Sequence, residues 1–140
     1  MTHELPLPPT VESVGAGRRF VSEALAEWQL DSLEYTATLL TSEVLTNSVL
    51  HARTSIVLSL EQTGPDTVTI AVRDGSTFIP RRRRHAHDAT TGRGLELLDR
   101  LAQSWHVEAD RDGKTVSFVV GAGIDPWAAY AGLDWADAEL

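Results

Sequence analysis

The 140-residue chain contains no cysteine, which removes a disulfide framework, a thiol nucleophile and a cysteine-ligated zinc site together and leaves a reducing compartment open to it. It also lacks an excess of positive charge. Twelve Lys and Arg stand against twenty Asp and Glu, a net charge of −8, which argues against general binding of nucleic acid or of an anionic membrane surface. Lysine is almost missing, with one, Lys114, beside eleven arginines. No apolar run approaches the ~18 residues of a membrane span. The opening MTHELPLPPT has no basic segment followed by an apolar one. Neither a span nor a signal peptide is expected, and the expected location is cytoplasmic. There is no GxxxxGK[ST] loop, no GxGxxG after a strand, and no internal repeat.

What remains is a chain long enough to bury roughly two-thirds of its unfolded surface without help from a metal or disulfide. Its most informative stretch is Leu33 to Ala52, LEYTATLLTSEVLTNSVLHA, twenty residues free of Gly and Pro behind Asp31 and Glu34, which have the spacing of a capping box. At about 100° per residue, Leu33, Leu39, Leu40, Val44 and Leu50 fall on one side of the predicted helix. Glu43, Asn47 and His51, spaced four apart, fall among them. A half-buried carboxylate costs several kcal/mol unless something pairs with it. Such a position therefore has a ligand, a metal or a fixed partner, or else the helix is rotated and the polar stripe is a solvated edge.

The remaining elements are set by local pattern. A short strand precedes Pro6, and Val11 to Leu30 is an amphipathic helix carrying Val14, Phe20, Val21, Leu25 and Trp28. Ser55 to Glu61 and Thr67 to Arg73 read as strands about the turn Thr63-Gly64-Pro65-Asp66. Ser76 to Thr90 has no apolar periodicity and carries the block Arg81 to Arg84, whose crowded like charges an anion would relieve. Gly92-Arg93-Gly94 opens a helix to about Ser104. Trp105 to Ala109 and Lys114 to Val120 then flank an Asp112-Gly113 turn. Residues 124–140 read as an acidic, aromatic tail after a domain spanning residues 1–123. The order helix, helix, strand, strand, loop, helix, strand, strand predicts an α+β two-layer sandwich, with a mixed, mostly antiparallel sheet and helices on one face.

Three places could carry chemistry. Gly92, Arg93, Gly94 and Leu95 begin a helix after a polar loop, where free N–H groups and the helix dipole favour an anion; an ordinary glycine-rich helix start is the alternative. Asp74 closes a hydrophobic strand, where a carboxylate can accept from an exocyclic amine such as adenine's, or can simply serve as a turn aspartate before Gly75. His85, His87 and Asp88 could ligate a metal, but the HxH pair lacks a defined third ligand.

Taken in order, these segments resemble the GHKL ATPases, the histidine-kinase-like ATP-binding family, over about residues 11–120. SEVLTNSVLHA resembles that family's N box, VRDGSTFIP its first glycine box, TGRGLELLDRLAQSW its second, and GKTVSF its closing strand. Ser76 and Phe78 stand where the first box has glycines. The resemblance implies a Bergerat-type fold that binds ATP and Mg²⁺. Asn47 would hold the metal, Glu43 would act as general base or polarise the attacking hydroxyl, and Asp74 would read the adenine amino group with support from Thr115. Gly92, Arg93, Gly94 and Leu95 would receive the phosphates. On this basis Asp74→Asn is expected to weaken adenine nucleotides while leaving the fold intact.

The small size, with no phospho-accepting histidine helix, makes the chain similar to the anti-sigma-factor serine/threonine kinases of bacterial partner-switching systems. That implies sequestration of a sigma factor and phosphorylation of a Ser or Thr on an anti-anti-sigma antagonist. It implies no direct contact with nucleic acid or membrane and leaves a homodimer open. The alternative is a non-catalytic interaction module of the same fold that regulates by docking alone. An orphan histidine kinase domain is a third reading, and it needs a histidine-bearing helix supplied in trans.

Overall fold

The computed structural model describes residues 2–76 and 96–122. Five strands form one sheet in the order β1-β2-β3-β5-β4: β1 (Thr2–Leu7), β2 (Ile56–Gly64), β3 (Thr67–Asp74), β4 (Ser104–Asp110) and β5 (Gly113–Gly121). Every pairing among them is antiparallel. Two helices, α1 (Glu12–Glu27) and α2 (Glu34–Asn47), pack on one face, and residues 96–101 are also helical. The α+β sandwich expected from the element order is the observed one.

Strand periodicity explains the core. Ile56, Leu58 and Leu60 on β2, Val68, Ile70 and Val72 on β3, and Val116, Phe118 and Val120 on β5 all turn to the helices and are buried. The alternate residues Ser59, Thr69, Ala71, Thr115 and Ser117 line the half-exposed outer face. β1 runs through Pro6 to Leu7, past the predicted stop. A proline is tolerated there because β1 is an edge strand whose outer side makes no ladder bonds. The His3 ring stacks on Trp28 at 5.2 Å and 7°, tying this edge to the end of α1. Gly17 lets α1 lie close on its neighbours, since an added Cβ would run into Leu45 Cδ1 and lie 3.3 Å from Leu58 Cδ2.

The central helix differs from the sequence reading in two respects. The Asp31/Glu34 capping box does not form. Asp31–Leu33 is a 3-10 turn, and Glu34 instead accepts a hydrogen bond at 3.1 Å from Ser22 on α1, a tertiary partner that no local pattern encodes. The helix also widens into a π-turn over Ser48–Ala52, marked by Arg53 N–H to Ser48 O at 3.4 Å, and stops at Arg53, whose φ of 57° is left-handed. Leu50 is 50% exposed rather than in the core, because at about 100° per residue it already stands about 120° around the helix from Val44, and His51 is exposed as well. Thr38, Ser42 and Thr46 each donate to the carbonyl four residues back, at 2.7, 2.8 and 2.7 Å, which is how a helix so rich in hydroxyls keeps them satisfied.

Candidate functional site

The site is built where the end of α2 meets the end of β3 and the start of β5. Asp74 continues the inward series Val68, Ile70, Val72, and Lys114 continues the series Val120, Phe118, Val116 backwards. Both charged groups are thereby carried to the helix-covered face, directly opposite each other in the ladder. Lys114 Nζ lies 2.7 Å from Asp74 Oδ2, with the two side chains only 8% and 1% exposed. Ser48, the first residue of the π-turn, donates to the same oxygen at 2.7 Å, and the Ser76 N–H donates to Oδ1 at 2.9 Å. A carboxylate taken out of water this far is tolerable because a cation, a hydroxyl and a backbone N–H all face it.

The backbone around Asp74 is held equally closely. Thr54, just beyond the π-turn, accepts the Gly75 N–H at 2.6 Å. Gly113 has φ +155°, and a Cβ there would collide with the Asp74 carbonyl oxygen and lie 2.9 Å from Gly75 Cα. The turn into β5 can pass this near the end of β3 only as glycine, and that passage delivers Lys114 to Asp74.

Thr115 is not part of this cluster. Its register partner is Arg73, which donates to Thr115 Oγ1 at 3.2 Å on the outer face of the sheet. The support expected for Asp74 from Thr115 comes from Lys114 instead, because adjacent strand residues point to opposite faces. Arg73 also reaches Asp110 at 3.1 Å. The hydrogen bond from Arg73, followed by the Asp112 N–H, holds the Asp110 carboxyl below its ordinary range, and the same pairing with Asp110 raises the Arg73 guanidinium.

Glu43 and Asn47 lie one turn apart on α2 and are both half-buried, flanking the buried stripe of Leu40, Thr41, Val44, Leu45 and Ser48. Asn47 immediately precedes Ser48, so the N-box motif and Asp74 share one wall. Asn47 Oδ1 is buried with no hydrogen-bond partner among the described residues. Thr41 Oγ1 on the same helix is in that state too, but an amide oxygen can only accept, so it needs a donor or a cation. Among the described residues no group of three or more His, Asp or Glu could hold a metal alone. Gly92, Arg93, Gly94 and Leu95, the Arg81 to Arg84 block, His85, His87 and Asp88, and the tail 124–140 lie outside the described residues.

The family model of the histidine kinase-like ATPase domain matches residues 7–120, which take in both long helices, strands β2 to β4 and β5 as far as Val120, but only the last residue of β1. The chain belongs to that family. Among solved structures this histidine kinase-like ATPase domain is similar to the RsbU and RsbW domains of Rv1364c from Mycobacterium tuberculosis. The TM-score is 0.64 and the identity 18%, with 86% of this chain covered and 32% of that one, so the domain spans about a third of that protein's length. No curated protein matches it. The family assignment accords with Asp74 at a strand end and Asn47 on a helix, two of the positions that carry the resemblance in the sequence.

Sequence reasoning missed three members of the cluster, namely Lys114, Ser48 and Thr54. The signal for Lys114 was present: counting back in twos from Phe118 puts the chain's only lysine on the buried face. Ser48 and Thr54 had no comparable signal, since both owe their place to the π-turn and the left-handed Arg53 that ends it.

Proposed function

We propose that this domain binds ATP with Mg²⁺ in the cytoplasm and acts as an anti-sigma factor that sequesters a sigma factor and phosphorylates a Ser or Thr of an anti-anti-sigma antagonist. The observation that carries the nucleotide part is Asn47 Oδ1, a carbonyl oxygen removed from solvent without a donor among the described residues. Leaving such a group unsatisfied costs about 1–3 kcal/mol. A hard cation favours oxygen ligands of this kind and takes its remaining ones from phosphates and water. The residues present thus fit Mg²⁺, with Asn47 as the protein ligand, and the ion would supply charge neutralisation at the phosphates. Asp74 would accept from the base at the far end of the same wall. Glu43, one helical turn before Asn47, would take the proton of the acceptor hydroxyl. Arg93 and the N–H groups of Gly92, Gly94 and Leu95 would meet the phosphates. Support for the partners comes from family membership and from the similarity to the RsbU and RsbW domains of Rv1364c.

One observation favours the docking-only alternative: Lys114, Ser48 and Ser76 already satisfy much of Asp74 within the protein itself. Transfer of radiolabelled phosphate from ATP to a panel of antagonist proteins, with sigma-factor pull-down in parallel, separates the two. Labelled antagonist supports the kinase. Binding of ATP and a sigma factor with no labelled antagonist leaves the docking module.

A further inference from the structure

Lys114 is the chain's only lysine, and it is spent on a nearly closed position. If holding Asp74 were its whole task, a hydroxyl such as Ser48's would do it at less cost in desolvation. The hydrogen-bond inventory of the pair shows what else it offers. An ionised carboxylate has about four acceptor positions. In Asp74, two on Oδ2 are taken by Ser48 and Lys114, and one on Oδ1 by the Ser76 N–H, leaving a single position on Oδ1. An ammonium has three N–H donors. Lys114 uses one on Asp74 and shows no other partner among the described residues. The pair therefore presents one acceptor beside a charged donor.

That pattern discriminates between purine edges. Adenine offers one donor, the N6 amine, next to one acceptor, N1. Guanine presents two adjacent donors, N1–H and N2–H, and would need both acceptor positions of a carboxylate edge that Ser48, Ser76 and Lys114 already occupy in part. Resting on the nucleotide reading above, we infer that Lys114 is a specificity-determining residue that donates to N1 of adenine while Asp74 accepts from N6, so that the buried ion pair is itself the base reader.

The test uses the full chain with Mg²⁺ and calorimetric titration of ATP, GTP and 1-deaza-ATP, which keeps the amine and lacks the N1 acceptor. Wild-type protein is expected to bind 1-deaza-ATP about tenfold to a hundredfold more weakly than ATP, the scale of one hydrogen bond to a charged group. Lys114→Met is expected to bind the two equally. A purely structural lysine predicts a different result, in which Lys114→Met weakens both ligands and preserves their ratio. Should Lys114→Met fail to fold, the wild-type ratio of ATP to 1-deaza-ATP affinity still decides, since it leaves Asp74 in place to accept from N6. Equal wild-type affinity for ATP and 1-deaza-ATP overturns the inference, as does discrimination that survives loss of Lys114, or GTP binding as tight as ATP. Wild-type protein that binds no adenine nucleotide removes the nucleotide reading itself, and the base reader with it.

Discussion

Asp74→Asn is the most informative perturbation, because the structure reverses one half of what the sequence implies for it. Read as a ligand-contacting residue alone, Asp74 could lose its charge without harm to the fold. Its carboxylate is instead the only counter-charge within 4.0 Å of Lys114 among the described residues, and the substitution strands an ammonium whose side chain is 8% exposed. Breaking a buried pair from one side costs about 3–5 kcal/mol, against a total of about 5–15 kcal/mol for an ordinary domain. At roughly 3 °C per kcal/mol for a chain of this size, the melting temperature should fall by about 10–15 °C. Lys114→Met should cost less, since the carboxylate keeps the Ser48 hydroxyl and the Ser76 N–H. The double variant removes both charges and should melt within a few degrees of wild type, because a neutral pair of similar volume has no desolvation to recover. Thermal and urea denaturation followed by circular dichroism, in chelator and without nucleotide, keeps ligand linkage out of the comparison. The reasoning is refuted if Asp74→Asn melts within about 2 °C of wild type, under about 1 kcal/mol. Additive single effects in the double variant would refute it equally.

Glu43→Gln should retain ATP and sigma-factor binding but lose roughly a hundredfold or more in phosphoryl transfer, the scale of a general base. Asn47→Ala should lose nucleotide and transfer together; a Glu43→Gln variant that transfers at the wild-type rate would return Glu43 to a structural role. Gly113→Ala puts a Cβ against the Asp74 carbonyl at φ +155°, so it should cost about 1–3 kcal/mol of stability in urea titration and weaken ATP at the same time. Gly17→Ala, remote from the site, should cost about 1–3 kcal/mol through crowding of Leu45 and Leu58 and leave ATP affinity unchanged. Asp110 is held below the ordinary carboxylate range when folded, so its contribution is fully present above that range and is lost as pH falls through it. The stability difference between wild type and Asp110→Asn should therefore shrink in acid, and a constant difference from neutral pH to about pH 3 would contradict the pairing with Arg73.

Local pattern was enough for the strands of both hairpins, because alternation about Pro65-Asp66 and about Arg111-Asp112 has one reading when a single face is buried. It also placed Asp74, whose parity with Val72 and Ile70 is explicit in the chain. Other features depend on partners far away in sequence. β1 continues beyond Pro6 only because β2 lies alongside it, and Glu34 turns to Ser22 rather than to its own helix end. The π-turn at Ser48–Ala52 leaves no mark in a segment without Gly or Pro, and the exposed Leu50 stands about 120° from Val44 at about 100° per residue, so a leucine by itself does not mark the buried face. Thr115 is a more obvious candidate than Lys114 by chemical type, since a threonine looks like a hydrogen-bonding partner and a lysine like a surface residue. Alternation in β5 gives the opposite answer.

The Asp74–Lys114 pair spans forty residues of sequence, and β5 enters the sheet between β3 and β4 rather than at an edge. A chain emerging from the ribosome at about 5–20 residues per second completes β3 roughly 2–8 s before Lys114 has been made. During that interval the helices and the first three strands can associate, while the carboxylate of Asp74 lacks its cation and stays in water. The end of β3 can close over it only after the last strand arrives. A chain that stops before β5 thus has Asn47 and Asp74 in its sequence without the Asp74–Lys114 pair, so synthesis of β5 is the event that completes the cluster.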